Sequence, residues 1–258
     1  MRFVPCSLAC LLFSLPLGAQ QTPIPQRDPQ ALTLLSQCAA KMGEPGVEDD
    51  WVATGQLTMA QHPDETGPIT IQSKGWNRSS EEVTLPNDHL GYVINPSGGK
   101  SDSHGASKQI PAWSMEYFWQ DHVPALACAV TQLPAAMNIL YVGVEQLGAA
   151  SVYHIEFIVP SRDPTKWLDR FEPVISEFHV YVDAKSFVVL KTKHFVFSPT
   201  GIENHSVWTT VYGDYRSVGG ILEPFHIENW IGDSELWDIQ FSSIQRNVGL
   251  SDSAFSLN

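Results

Sequence analysis

Residues 175–197 read ISEFHVYVDAKSFVVLKTKHFVF. Apolar and polar side chains alternate on both sides of the central Asp183–Ser186. Phe178, Val180 and Val182 fall on one face of the first run, and Val188, Leu190 and Val196 on one face of the second. A period of two is the mark of a half-buried strand, because successive Cβ atoms point to opposite sides of a sheet. Even-numbered residues must then oppose even-numbered ones. That requires a loop of odd length, and a three-residue turn over Ala184–Ser186 supplies it; a two-residue turn would rotate one apolar set into solvent.

The same rhythm extends in both directions. Downstream, HSVWTTVYGDYR (205–216), ILEPFHIENWI (221–231) and SELWDIQFSSI (234–244) are strands, punctuated by Gly219-Gly220 and Gly232-Asp233. Pro224 marks its strand as an edge or the site of a bulge. Upstream lie SVYHIEFIV (151–159) and NILYVGVEQ (138–146), joined at Gly148. Before them come GYVIN (91–95), EEVTLP (81–86), ITIQSKGWN (69–77) and WVATGQLTMA (51–60). The count is about eleven strands in largely meander order. This predicts a mainly β (α+β) fold built on one antiparallel sheet.

Two segments break the period. Asp28-Pro29 forms a helix start, with Asp as N-cap and proline in the first turn, where its missing N–H is harmless. ALTLLSQCAAKM (31–42) follows, and Ala31, Leu34, Leu35, Cys38 and Met42 make one stripe before Gly43 stops it. WSMEYFWQDHVPALACAVTQL (113–133) also reads as helical, split in two by Pro124. The Gly/Ser-rich tract 96–112 reads as a long exposed loop.

The N-terminus has the layout of a secretory signal: Arg2, then an apolar run from Leu8 to Leu17, then Gly18-Ala19 ahead of Gln20. Cleavage is expected after Ala19. The run is about half the length a membrane helix needs, and no cysteine stands behind it to be acylated, so a lipid anchor is not expected. This divides the chain into a signal (1–19), a Pro/Gln-rich lead-in (20–27) and one domain (28–258). The expected location is periplasmic or secreted, and no later segment is apolar enough to span a membrane. Cys38 and Cys128 remain after cleavage. Two readings stay open for them, a disulfide or two buried thiols.

The net charge is −13, and one unit more negative once Arg2 has left. A surface of that sign repels nucleic acid, so no nucleic-acid partner is expected. With 43% hydrophobic and 17% charged residues there is material for one large core. None of the nine histidines has the spacing of a zinc-protease helix. His179 and His194 are placed to meet across the central hairpin, but strand histidines ordinarily just occupy the polar face, and no metal or other cofactor is expected. There is no nucleophile elbow and no phosphate loop. Adjacent acidic pairs such as Glu81-Glu82 point to opposite faces of a strand and cannot flank one bond. No catalytic residue is identified, and the chain is expected not to be an enzyme.

The C-terminal third, VYVDAKSFVVLK, VYGDYRSVGGILEPFHIENWIGD and IQRNVGLSDSAFSLN, resembles the end of extracytoplasmic proteins with the lipoprotein-carrier fold. The residues that carry this resemblance are Asp183, Tyr215 with Gly220 and Pro224, and Asn247, Leu250-Ser251-Asp252 and Phe255. It implies a strongly curved, unclosed antiparallel sheet of about eleven strands with helices covering its open side, a half-barrel whose interior accommodates acyl chains. Alternation turns Trp51, Leu57, Phe178, Val180, Val188, Leu190, Phe225, Ile227, Trp237 and Phe241 inward. Trp113, Phe118 and Trp119 are expected to form an aromatic cover over them. Together these residues would line a hydrophobic pocket, and the function expected is a non-enzymatic binder or carrier of a lipid or of lipoprotein acyl chains. The alternative is an envelope protein–protein interaction or regulatory module of the same fold, with a filled core and no ligand.

Overall fold

The computed structural model describes residues 24–43, 46, 49–111, 122–161, 163, 165–198 and 201–257. The stretch expected to be a secretory signal lies outside them, and so do Trp113, Phe118 and Trp119. Among the described residues, thirteen strands make one antiparallel sheet. They are β1 (Asp50–Met59), β2 (His62–Lys74), β3 (Arg78–Thr84), β4 (His89–Asn95), β5 (Gly98–Ser103), β6 (Ala106–Pro111), β7 (Asn138–Leu147), β8 (Ala150–Ile158), β9 (Phe178–Asp183), β10 (Val189–Ser198), β11 (Gly201–Val218), β12 (Ile221–Ile231) and β13 (Ser234–Arg246). Their spatial order is β6-β5-β4-β3-β2-β1-β13-β12-β11-β10-β9-β8-β7. Two meanders, β1–β6 and β7–β13, are thus joined along β1 and β13, while β6 and β7 form opposite edges. The sheet does not close.

The two strands beyond eleven lie in the tract expected to be a loop. β5 and β6 pair from Gly98 opposite Pro111 to Ser103 opposite Ala106. The connection is His104-Gly105, with φ of 49° and 70°. Two successive positive φ values make a tight turn whose twist suits a hairpin. Glycine and serine hid the alternation here, since neither marks a face by hydrophobicity.

Helix α1 (Pro29–Met42) follows its sequence signals closely. The Asp28 carboxylate accepts from the Gln30 and Ala31 amides at 2.7 and 3.4 Å. The buried residues are Ala31, Leu34, Leu35, Cys38 and Met42, the expected stripe, and Gly43 ends the helix at φ 76°. A second helix, α2 (Trp167–Ser176), was not anticipated, because Pro173 sits inside it. Ile175 and Ser176 belong to this helix, so β9 begins at Phe178. The Ser176 hydroxyl donates to the Glu172 carbonyl at 2.6 Å and accepts from the Val159 amide at 2.8 Å, tying α2 to the end of β8. In place of the second half of the expected 113–133 helices, short 3-10 turns occupy Pro124–Cys128 and Val130–Gln132; residues 112–121 lie outside the described residues.

Pro224 does not mark an edge: β12 is central, with Pro224 opposite Tyr215 and the local distortion at Asp214, whose φ is 48°. In the β9–β10 hairpin, Thr192 opposes Val180 and His194 opposes Phe178. Even residues therefore do face even residues, around the turn at Ala184–Ser186. A register shift between Val189 and Lys191 puts Val189, not Leu190, opposite Val182.

Beyond β13 the tail turns back over the outer side of the sheet. Asp50 is buried, and its two carboxylate oxygens accept from the amides of Val248, Gly249 and Leu250 at 2.6, 2.8 and 2.7 Å. Asn247 and Gly249 supply the positive φ that aims those amides at one point. Lys74 bonds the Leu250 carbonyl and Asp252, and Asn95 donates to the Phe255 carbonyl at 2.8 Å. The terminal motif that carried the resemblance is thus a latch on β1–β4.

Candidate functional site

The register sorts side chains onto the inner face. On β1 these are Trp51, Ala53, Gly55, Leu57 and Met59, facing Arg246, Ile244, Phe241, Ile239 and Trp237 of β13. Trp237 is followed across the sheet by Asn229, Thr210 and Thr192 of β12, β11 and β10. Phe178, Val180 and Val182 continue through Phe157, Ile155 and Tyr153 of β8. One apolar cluster joins these residues to the stripe of α1.

Of the residues assigned inward from alternation, Trp51, Leu57, Phe178, Val180, Val188, Phe225, Ile227 and Phe241 are buried in that cluster. Trp237 and Leu190 are half-buried and pack against it, Leu190 less regularly because the register shifts there. Trp51 meets Phe241 edge-on, and Trp237 meets Trp208 edge-on at 5.5 Å between ring centroids. The placement of Trp113, Phe118 and Trp119 falls outside the described residues.

Cys38 of α1 and Cys128 of the first 3-10 turn are joined by a disulfide, with Cα atoms 6.1 Å apart. It fixes α1 to the connection that runs from one sheet edge to the other. Beneath α1 the packing is dense: Ala31, Leu35, Cys38, Met42, Ile139, Ile155, Ile227 and Ile239 are wholly shielded from solvent. The core residues Leu90 and Met59, on β4 and β1, are only partly buried.

Polar groups cross this apolar interior, and periodicity gave no signal for them. The Thr192 hydroxyl lies 3.1 Å from the Tyr212 hydroxyl, Asn229 donates to the Thr210 hydroxyl at 3.0 Å, and the Trp237 indole donates to Asn229 at 2.9 Å. A buried polar group stays favourable only when paired, and these are. Glu223, fully buried, accepts from Arg246 at 2.6 Å. Burial pushes its carboxyl above the usual range, and the Arg246 charge works against that. On the β1–β6 arm, His122 reaches Glu81 at 2.8 Å, both mostly buried. Thr, Asn and Tyr at alternating positions read as ordinary outward residues, which is why they escaped notice.

His179 does not meet His194, because odd and even positions point to opposite sides of the sheet. Its ring lies on the outer face, against β8. Glu145 Oε1 is 2.6 Å from His154 Nδ1, His154 Nε2 is 2.9 Å from His179 Nδ1, and His179 Nε2 is 2.9 Å from Glu177 Oε1. His154 stacks on Tyr181, and the Lys191 ammonium stands 4.0 Å above that ring. Burial, with Glu145 adding to it, pushes the Tyr181 hydroxyl up to about 12. Burial also holds the Lys191 ammonium below its usual range.

An unclosed antiparallel half-barrel whose concave face is apolar and is covered by a helix defines a class of folds built around an interior. No family model and no curated protein sequence matches the chain. Solved structures do match its fold. One is an outer membrane lipoprotein-sorting protein domain from Vibrio parahaemolyticus, 13% identical, with a TM-score of 0.53 over 88% of this chain and 96% of that one. A LolA superfamily protein from Nitrosomonas europaea is 15% identical at the same TM-score, covering 88% and 97%. A DUF1329 family protein from Desulfovibrio piger is 11% identical, again at 0.53, covering 88% and 96%. The chain shares the fold of these proteins, a LolA-like fold.

Proposed function

We propose that this protein is an extracytoplasmic binder or carrier of a hydrophobic ligand, a lipid or the acyl part of a lipoprotein, and that it performs no catalysis. The supporting observation is the concave face, a continuous apolar surface from β2 to β9 in which Thr192, Tyr212, Thr210, Asn229 and Trp237 are hydrogen-bonded to one another in pairs. Proteins named for lipoprotein sorting share the fold. The N-terminal signal, cleaved after Ala19, would deliver the chain to that compartment, and among the described residues no helix is long and apolar enough to cross a membrane.

The ligand would lie toward the β1–β6 arm rather than beneath α1, where side chains already fill the space. Leu57, Met59 and Leu90 would contact it, and Trp113, Phe118 and Trp119 would cover it. Each CH₂ buried there contributes about 0.8 kcal/mol, so a long chain could be held without an ion pair, and its affinity should barely respond to salt. The test is native mass spectrometry of protein purified from the extracytoplasmic fraction, followed by titration with a fluorescent fatty acid. The binder reading expects co-purifying lipid and a Trp119→Ala variant that folds but binds at least tenfold more weakly. A wild type that carries and takes up no lipid would instead favour the envelope protein-interaction reading, with a filled interior.

A further inference from the structure

On the outer face of β12 and β13, away from the concave interior, three potential ligand groups converge. His226 and Glu228 alternate on one strand and so share a face, and Glu228 stands directly opposite Asp238. His226 Nε2 contacts the Asp238 carboxylate and lies 3.8 Å from Glu228 Oε1. One donor atom from each of the three lies within 4.8 Å of the others, and all three residues are half-buried. The Trp230 indole donates to Glu228 Oε2 at 3.3 Å, which orients that carboxylate while leaving Oε1 toward the imidazole. Like charges directly opposite one another on an antiparallel pair repel, and Glu228 and Asp238 are such a pair. Their combined field reaches Glu235, whose carboxyl is raised by burial and by both of them. A rigid ladder that keeps two carboxylates and an imidazole pointed at one spot is suited to a cation of higher charge than the imidazolium.

We infer that His226, Glu228 and Asp238 form a surface site for a divalent transition-metal ion. One imidazole nitrogen with two carboxylate oxygens suits zinc or manganese better than magnesium or calcium, which prefer oxygen donors alone. With three protein ligands, the remaining coordination positions are left to water. The two strands supply the ligands from positions twelve residues apart in sequence, which is why spacing within a single motif gave no indication of a site.

Isothermal titration of the chelator-stripped full chain with zinc at pH 7.5 tests the site. One equivalent should bind with a Kd on the order of micromolar, and His226→Ala or Asp238→Asn should each weaken it by roughly tenfold or more. Asp238→Asn preserves side-chain shape, so circular dichroism should show an intact fold. Because His154 and His179 also lie together, 2.9 Å apart, a His154→Gln/His179→Gln double variant should bind zinc as the wild type does. No binding above dilution heat overturns the inference. So does a zinc equivalent that survives His226→Ala or disappears in the double variant, or one displaced by calcium at comparable concentration.

Discussion

Asp50 shows how much a single side chain can organise. Its carboxylate receives three backbone N–H groups of the C-terminal latch, and Asp50→Ala would leave all three without their acceptor. Charge-assisted bonds of this type are worth more than neutral ones, so the substitution should destabilise the protein by about 2–4 kcal/mol. Asp252→Ala removes only an exposed partner of Lys74 and Arg78 and should cost far less. Denaturant titration of the two variants side by side distinguishes them. His154 makes a prediction of a different kind. Burial depresses its pKa in the folded protein, against the attraction of Glu145. The unfolded chain therefore binds the proton more readily than the folded one. This contribution to stability is fully present above the ordinary histidine value of 6.5 and is lost as pH falls from there through the lower folded pKa. Unfolding free energies measured between pH 7.5 and 5 should fall less steeply in His154→Gln; identical slopes would show that another group governs the transition.

Among the elements, α1 and the central hairpin were legible because their information is local. Asp28-Pro29, the stripe from Ala31 to Met42 and Gly43 each act within a turn or two, and alternation finds both strands of the hairpin, although the even-to-even pairing holds only beyond the register shift at Val189–Lys191. The concave set was legible for the same reason, since alternation names a face without knowing its neighbour. What sequence reading missed depends on partners distant in sequence or on residues with no hydrophobic signature. The β5–β6 hairpin is written in Gly, Ser and Lys, α2 carries a proline, and the histidine chain on the outer face needs β7, β8 and β9 side by side. Close strand approach is equally invisible from one strand. A Cβ on Gly55 would stand 2.2 Å from the Gln240 carbonyl, and one on Gly67 would stand 1.9 Å from that of Thr84. Gly55→Ala must therefore push β13 away from β1 at a register shift, with an expected loss of about 2–3 kcal/mol; a thermal melt unchanged from wild type would contradict that. The Cys38–Cys128 bond closes a loop spanning 90 positions. Reducing it, or replacing both cysteines by serine, should lower stability by about 2–4 kcal/mol in guanidinium unfolding.

At the scale of the whole molecule, two meanders meet along one seam. β13 is hydrogen-bonded to β1 on one side and to β12 on the other, so it belongs to both arms. Removing residues 234–258 should leave neither arm able to stand, and the truncated chain is expected to lose the near-ultraviolet dichroism of its packed aromatics. A truncated form with native-like near-ultraviolet signal would show that β2–β6 is an independent unit. The seam also imposes an order in time. Trp51 pairs with Arg246, so the first strand to emerge during synthesis must wait for the last one before its inner edge is satisfied. Most of the sheet can form hairpin by hairpin, yet β1 remains an open edge until β13, at residues 234–246, has been made. Such a sheet gains little by folding before that strand emerges, and loses little by being held unfolded until then.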